Sequence, residues 1–234
     1  MKYFIALVLV FISISALFAD GFKAGDRVEV LYPKDGKYYS GTILKIDKAG
    51  YLIHYDGYAD SYNEVVTQER LKTISQIEGV TFLKSEKGKS IVVSGNLKTG
   101  SILEDLDWAA SSSMACWPGS LRDFEFQGNQ VYYWTDLPKK STLVITVKPK
   151  NTKDRINLYA YSGFDPKYIV PNVPGAVSCE ASYPQYVGSP DLSKPSEPQS
   201  VELRAVGNPY RVFIAVSGAK NVTEADYDLI LEWK

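Results

Sequence analysis

The sequence predicts an all-β protein, a small barrel followed by a β-sandwich, and three observations carry that prediction. Short runs of alternating apolar residues recur along the chain, turn residues separate them, and no stretch shows a helical period of useful length. A length of 234 residues with 45% hydrophobic side chains allows one large or two modest domains, each with a real core. Lys and Arg number 26 against 27 Asp and Glu, so the formal net charge of −1 excludes the basic footprint a nucleic-acid partner requires. One His in the whole chain excludes a His-rich metal site and leaves little room for Ser/His or Cys/His catalysis.

Residues 1–19 have the layout of a secretory signal peptide. Lys2 supplies the positive end, an apolar run spans Tyr3 to Phe18, and Ala16 and Ala19 place small residues at −3 and −1 of a cleavage. No later segment approaches the ~18 apolar residues of a membrane span, so the mature chain is expected to be exported, periplasmic or extracellular, without stable membrane insertion. Export decides how Cys116 and Cys179 read. Two and only two cysteines in an oxidising compartment predict one disulfide, whereas a catalytic thiol would need a base that the lone His54, in the other module, does not supply.

The first module, residues 20–75, opens with Val28 and Val30 alternating with Arg27 and Glu29. Ile43 and Ile46 mark a second apolar run, and residues Tyr51 to Tyr55 a third. Pro33 to Gly36, Asp47 to Gly50 and Asp56-Gly57 are turn chemistry between strands. His54 is expected to pack in the third strand with a satisfied ring nitrogen.

The stretches Gly25 to Val28, Tyr38 to Ile43, Tyr51 to Tyr58 and Ser61 to Val66 occur in the order and spacing that resemble the Tudor-knot or chromo-barrel family. That resemblance implies a five-stranded SH3-like barrel. Asn63 stands where the family usually has Asp, and Val65 where Trp is common. Family members often hold methylated lysine in an aromatic cage, which maps here onto Tyr32, Tyr55, Tyr58 and Tyr62, with Tyr39 nearby. Packing of the barrel rim explains the same residues without a ligand. A concave aromatic group would take a cationic or proline-rich part of a peptide or protein.

The second module, residues 76–234, alternates in period two. Leu143, Ile145 and Val147 share a face, as do Ile156, Leu158 and Ala160; Val201, Leu203 and Ala205; Tyr210, Val212, Ile214 and Val216; and Tyr227, Leu229, Leu231 and Trp233. Each face is expected to pack on a second sheet with polar neighbours outward, and residues 73–85 and the Pro-rich 166–199 read as connections. The order of the Phe126 to Tyr133, Ser141 to Val147 and Ile156 to Tyr161 strands resembles the pre-peptidase C-terminal jelly-roll domain, which implies a non-catalytic accessory of secreted enzymes.

No phosphate loop, Cys-x-x-Cys, His-x-x-x-His or Gly-x-Ser-x-Gly occurs. No catalytic residue, metal ligand or cofactor is therefore assigned. Acidic clusters at Glu104, Asp105 and Asp107 and at Glu224, Asp226 and Asp228 offer oxygen ligands for Ca²⁺ but match no dedicated loop. The expected function is non-enzymatic binding of a peptide or protein by the aromatic barrel surface. The alternative is a hydrolase, or hydrolase accessory, acting on envelope or extracellular polymers through second-module carboxylates.

Overall fold

The computed structural model describes residues 21–55, 58–73, 79–85, 87–111, 115–163, 169–171, 173, 176–186 and 195–234. The export segment read over 1–19, the Asp56-Gly57 turn and the 75/76 boundary lie outside them. The chain divides into two compact units, Met1–Thr73 and Ile74–Lys234.

In the first unit, β1 (Arg27–Tyr32), β2 (Lys37–Asp47), β3 (Gly50–Tyr55), β4 (Glu64–Val66) and β5 (Leu71–Thr73) form one antiparallel sheet in the order β4-β3-β2-β1-β5. The return of β5 to β1 makes it a small barrel, closed over Val28, Val30, Ile43, Ile53, Val66 and Leu71. Register between β2 and β3 shifts between Ile43 and Lys45. This bulge advances β2 by one residue, so Ile46, not Lys45, continues the face of Ile43, which is why their spacing of three fits one strand. Ile46 lies at the strand end and stays exposed. Gly41 lets β2 press on β3: a Cβ there would stand 2.8 Å from an Ile53 methyl and 2.9 Å from the His54 carbonyl oxygen.

The second unit is a sandwich. Its strands are β6 (Val80–Phe82), β7 (Ser90–Asn96), β8 (Ser101–Ile102), β9 (Asn129–Leu137), β10 (Ser141–Pro149), β11 (Ile156–Ser162), β12 (Ser178–Ser182), β13 (Gln199–Ala205), β14 (Tyr210–Gly218) and β15 (Asp226–Trp233). One sheet runs β13-β10-β15-β7; the other runs β12-β11-β14-β9-β6, with β8 also on β9. Between them lies the core the alternation anticipates, with Leu143, Ile145, Val147, Leu203, Val212, Ile214, Leu229 and Leu231 all buried. Gly95 on β7 leaves space for the Tyr227 ring, whose hydroxyl meets that of Tyr133 at 2.9 Å across the core.

Two sequence expectations need correction here. Residues 73–85 are not a plain connection, because Val80–Phe82 pairs in parallel with Tyr132 to Trp134. Nor do β11 and β14 turn polar residues outward: β11 is buried on both faces, and on β14 Phe213 and Ala215 are buried opposite Val212, Ile214 and Val216. Loops form a third layer over that sheet. Trp117 stacks on Phe126 at 4.0 Å and meets Tyr159 at 5.3 Å, while Trp108 contacts Tyr159 and Tyr161. The Cys116–Cys179 disulfide ties this layer to the edge strand β12, with Cα atoms 5.0 Å apart. Both cysteines are thus committed, which ends the catalytic-thiol alternative.

Candidate binding face on the barrel

Five tyrosines meet at one part of the barrel. Tyr32 ends β1, and Tyr39 lies on β2 near the Pro33 to Gly36 turn that follows. Tyr55 ends β3; Tyr58 follows it, and Tyr62 closes the single 3₁₀ turn Asp60–Tyr62. Tyr39 is the hub, standing almost perpendicular to Tyr32 at 6.0 Å, Tyr55 at 6.4 Å and Tyr58 at 6.2 Å between ring centres. Tyr58 meets Tyr55 at 6.4 Å and Tyr62 at 5.7 Å. All five residues read from the sequence as cage candidates are therefore in one contact network. They differ in access: Tyr55 is 6% exposed, Tyr58 45% and Tyr62 62%.

Tyr39, Tyr55 and Tyr58 have the proportions of a corner. Their planes lie 73–89° apart and their centres 6.2–6.4 Å apart. Each of these contacts is edge to face, so the rings pack on one another, and the exposed part of Tyr58 presents ring surface to solvent.

Carboxylates hold two of the ring hydroxyls. The Tyr39 hydroxyl donates to Asp35 Oδ2 at 2.6 Å, and the Lys37 amide also donates to that carboxylate. The hydrogen bond to anionic Asp35 pushes the Tyr39 phenol up to about 12, and holds the Asp35 carboxyl below its ordinary range. The Tyr55 hydroxyl donates to Glu64 Oε1 at 2.7 Å, and burial, with that bond, raises its phenol strongly. Arg70 completes the support: Nη2 and Nη1 donate to the two Glu64 oxygens at 2.7 and 3.0 Å, and Nε donates to the Leu31 carbonyl at 2.8 Å. Its hydrogen bonds lower the Glu64 carboxyl from the ordinary 4.5. One guanidinium thus fixes the backbone before Tyr32 relative to the carboxylate that holds Tyr55.

His54 is satisfied as expected. Its Nδ1 lies 2.9 Å from Asn63 Oδ1 and 3.1 Å from Asp60 Oδ1, so this ring nitrogen has partners. The contact anchors the 3₁₀ turn that carries Tyr62.

Sequence reasoning missed Asp35 and Arg70. The acidic residue at a turn read only as turn chemistry, and Arg70 reaches Glu64 six positions back and Leu31 thirty-nine positions back, separations that leave no local pattern. In the sandwich, the acidic clusters do not assemble. Asp226 accepts from Asn96, Asp228 from Ser94 with Lys150 beside it, and Glu224 from Lys98. Among the described residues, no group of three or more His, Cys, Asp or Glu is placed to hold a metal ion.

No family model matches the chain, and neither does any curated protein. A solved structure of CorA, a surface-associated copper-binding protein important in Methylomicrobium album BG8 copper acquisition, aligns over 65% of this chain and 96% of its own. Identity is 10% and the TM-score 0.36, a likeness that assigns neither fold nor function here. No helix among the described residues is long and apolar enough to cross a membrane.

Proposed function

We propose that the chain is an exported, non-enzymatic binding protein whose barrel takes a positively charged group of a peptide or protein ligand. The observation that carries this reading is the Tyr39–Tyr55–Tyr58 corner, three rings at near right angles and 6.2–6.4 Å apart. Electrostatics favour the same ligand: each cation–ring pair is worth ~0.5–2 kcal/mol, more as the site desolvates. Asp35 adds negative charge at the Tyr39 hydroxyl. Tyr62 extends the face beyond the corner and offers ring surface to the rest of a ligand chain. The Tudor-knot likeness fits a site of this kind. Export is supported by the residue 1–19 pattern and by the disulfide, a bond that oxidising compartments preserve.

A peptide array carrying lysine, alkylated lysine and neutral isosteres tests the reading against residues 20–234. Retention of the cationic peptides over their neutral isosteres is expected. Equal retention of both, or of neither, would end the proposal.

A further inference from the structure

Tyr58 and Tyr62 have a chemistry available to them that needs no bound ligand. Both are exposed, their ring centres lie 5.7 Å apart, and among the described residues neither hydroxyl has a hydrogen-bond partner. Their neighbours differ: the Tyr39 and Tyr55 hydroxyls are tied to Asp35 and Glu64, which hold those rings in place. Residues 21–73 contain no Cys, Met or Trp, so tyrosine is the principal side chain there that gives up an electron readily. Only three residues lie between the two, the last two of them in the 3₁₀ turn that ends at Tyr62, which makes their encounter intramolecular and favours it over encounters between molecules.

We propose that Tyr58 and Tyr62 are an oxidative modification site, joined as an intramolecular dityrosine by a peroxide-dependent peroxidase. Each phenol loses one electron and its hydroxyl proton to give a phenoxyl radical. The radicals couple through a carbon–carbon bond between ring positions ortho to the oxygens. The hydrogen on each coupled carbon then leaves it and returns to the adjacent oxygen as the ring regains aromaticity. Two electrons and two protons depart in total, and one hydrogen peroxide takes them up to become two waters. The site does not depend on the ligand reading, because it needs only exposure and proximity.

The whole chain, kept dilute, is treated with hydrogen peroxide and a haem peroxidase and then digested with trypsin. The peptide of residues 49–70, which ends at Arg70, is expected to appear lighter by two hydrogens and to show dityrosine fluorescence. Tyr58→Phe and Tyr62→Phe should each reduce that species to background without moving the melting temperature, since each removes only an unbonded hydroxyl. Tyr51→Phe should leave it unchanged. Persistence of the linked peptide in Tyr62→Phe would overturn the assignment, as would cross-links found only between chains.

Discussion

Arg70 holds Glu64 with two parallel hydrogen bonds of 2.7 and 3.0 Å, joining the approach to β5 to the edge strand β4. Because the same guanidinium holds the Leu31 carbonyl, and Glu64 holds the Tyr55 hydroxyl, this pair underlies the aromatic corner.

Arg70→Met should therefore loosen the barrel and the ring geometry together. The pair is only partly buried, with 35% of the Glu64 side chain exposed, so the expected loss is roughly 1–2 kcal/mol, below the ~3–5 kcal/mol of a fully buried pair. Lys at this position should not rescue, since a single ammonium cannot span both oxygens and the carbonyl. Glu64 also gives a pH signature. Its folded carboxyl lies below 4.5, so the stability it contributes is complete above about pH 4.5 and is lost as pH falls through the lower folded value. Denaturant midpoints of wild type and Glu64→Gln between neutral and acidic pH check this, the wild-type advantage shrinking with acid.

The Tyr39–Asp35 bond predicts an alkaline counterpart. An unfolded tyrosine ionises near 10, whereas Tyr39 in the barrel ionises near 12. The neutral phenol is favoured by folding, so its contribution is present below pH 10 and lost as pH rises from 10 through 12. An ultraviolet phenolate titration should show a late step that loses one tyrosine's amplitude in Tyr39→Phe, the same share moving to lower pH in Asp35→Asn.

In the sandwich, Glu125 is fully buried and receives the Arg155 guanidinium at 2.6 and 2.8 Å, with Asn157 and Tyr186 as further donors. Arg155→Met strips that carboxylate of its counter-charge and should cost about 3–5 kcal/mol. Replacing Glu125 as well by a hydrophobic residue of similar volume should recover much of the loss. Guanidinium unfolding of the sandwich, followed by Trp fluorescence, measures both.

How much of this was legible in the sequence follows from where the information lies. The sandwich core strands β10, β13 and β15 alternate cleanly because each has one face on the core and one in solvent, and the disulfide follows from export and count. The five tyrosines were named as a group through the resemblance to the Tudor-knot family, carried over position by position. Strands β6 and β8 were not, at three and two residues, and β7 carries its pattern on an edge with a glycine. The aromatic layer over β11 and β14 comes from loops and a four-residue helical turn, Trp108–Ser111, too short to show a period. Pairings such as Arg70 with Leu31 or Arg155 with Glu125 exist only once distant strands have docked.

The central claim is that the tyrosine corner binds and does not merely pack, and Tyr58→Ala separates the two most directly. Tetramethylammonium serves as the probe, followed by tyrosine ring shifts in nuclear magnetic resonance, with melting temperature measured on the same samples. Removing one ring of the corner should weaken the probe's binding about two- to thirty-fold, the range of one cation–ring pair. Melting should fall only modestly, because Tyr58 is 45% exposed although it packs on three rings. Unchanged affinity with a lowered melting temperature would contradict the account and leave these tyrosines as structure alone.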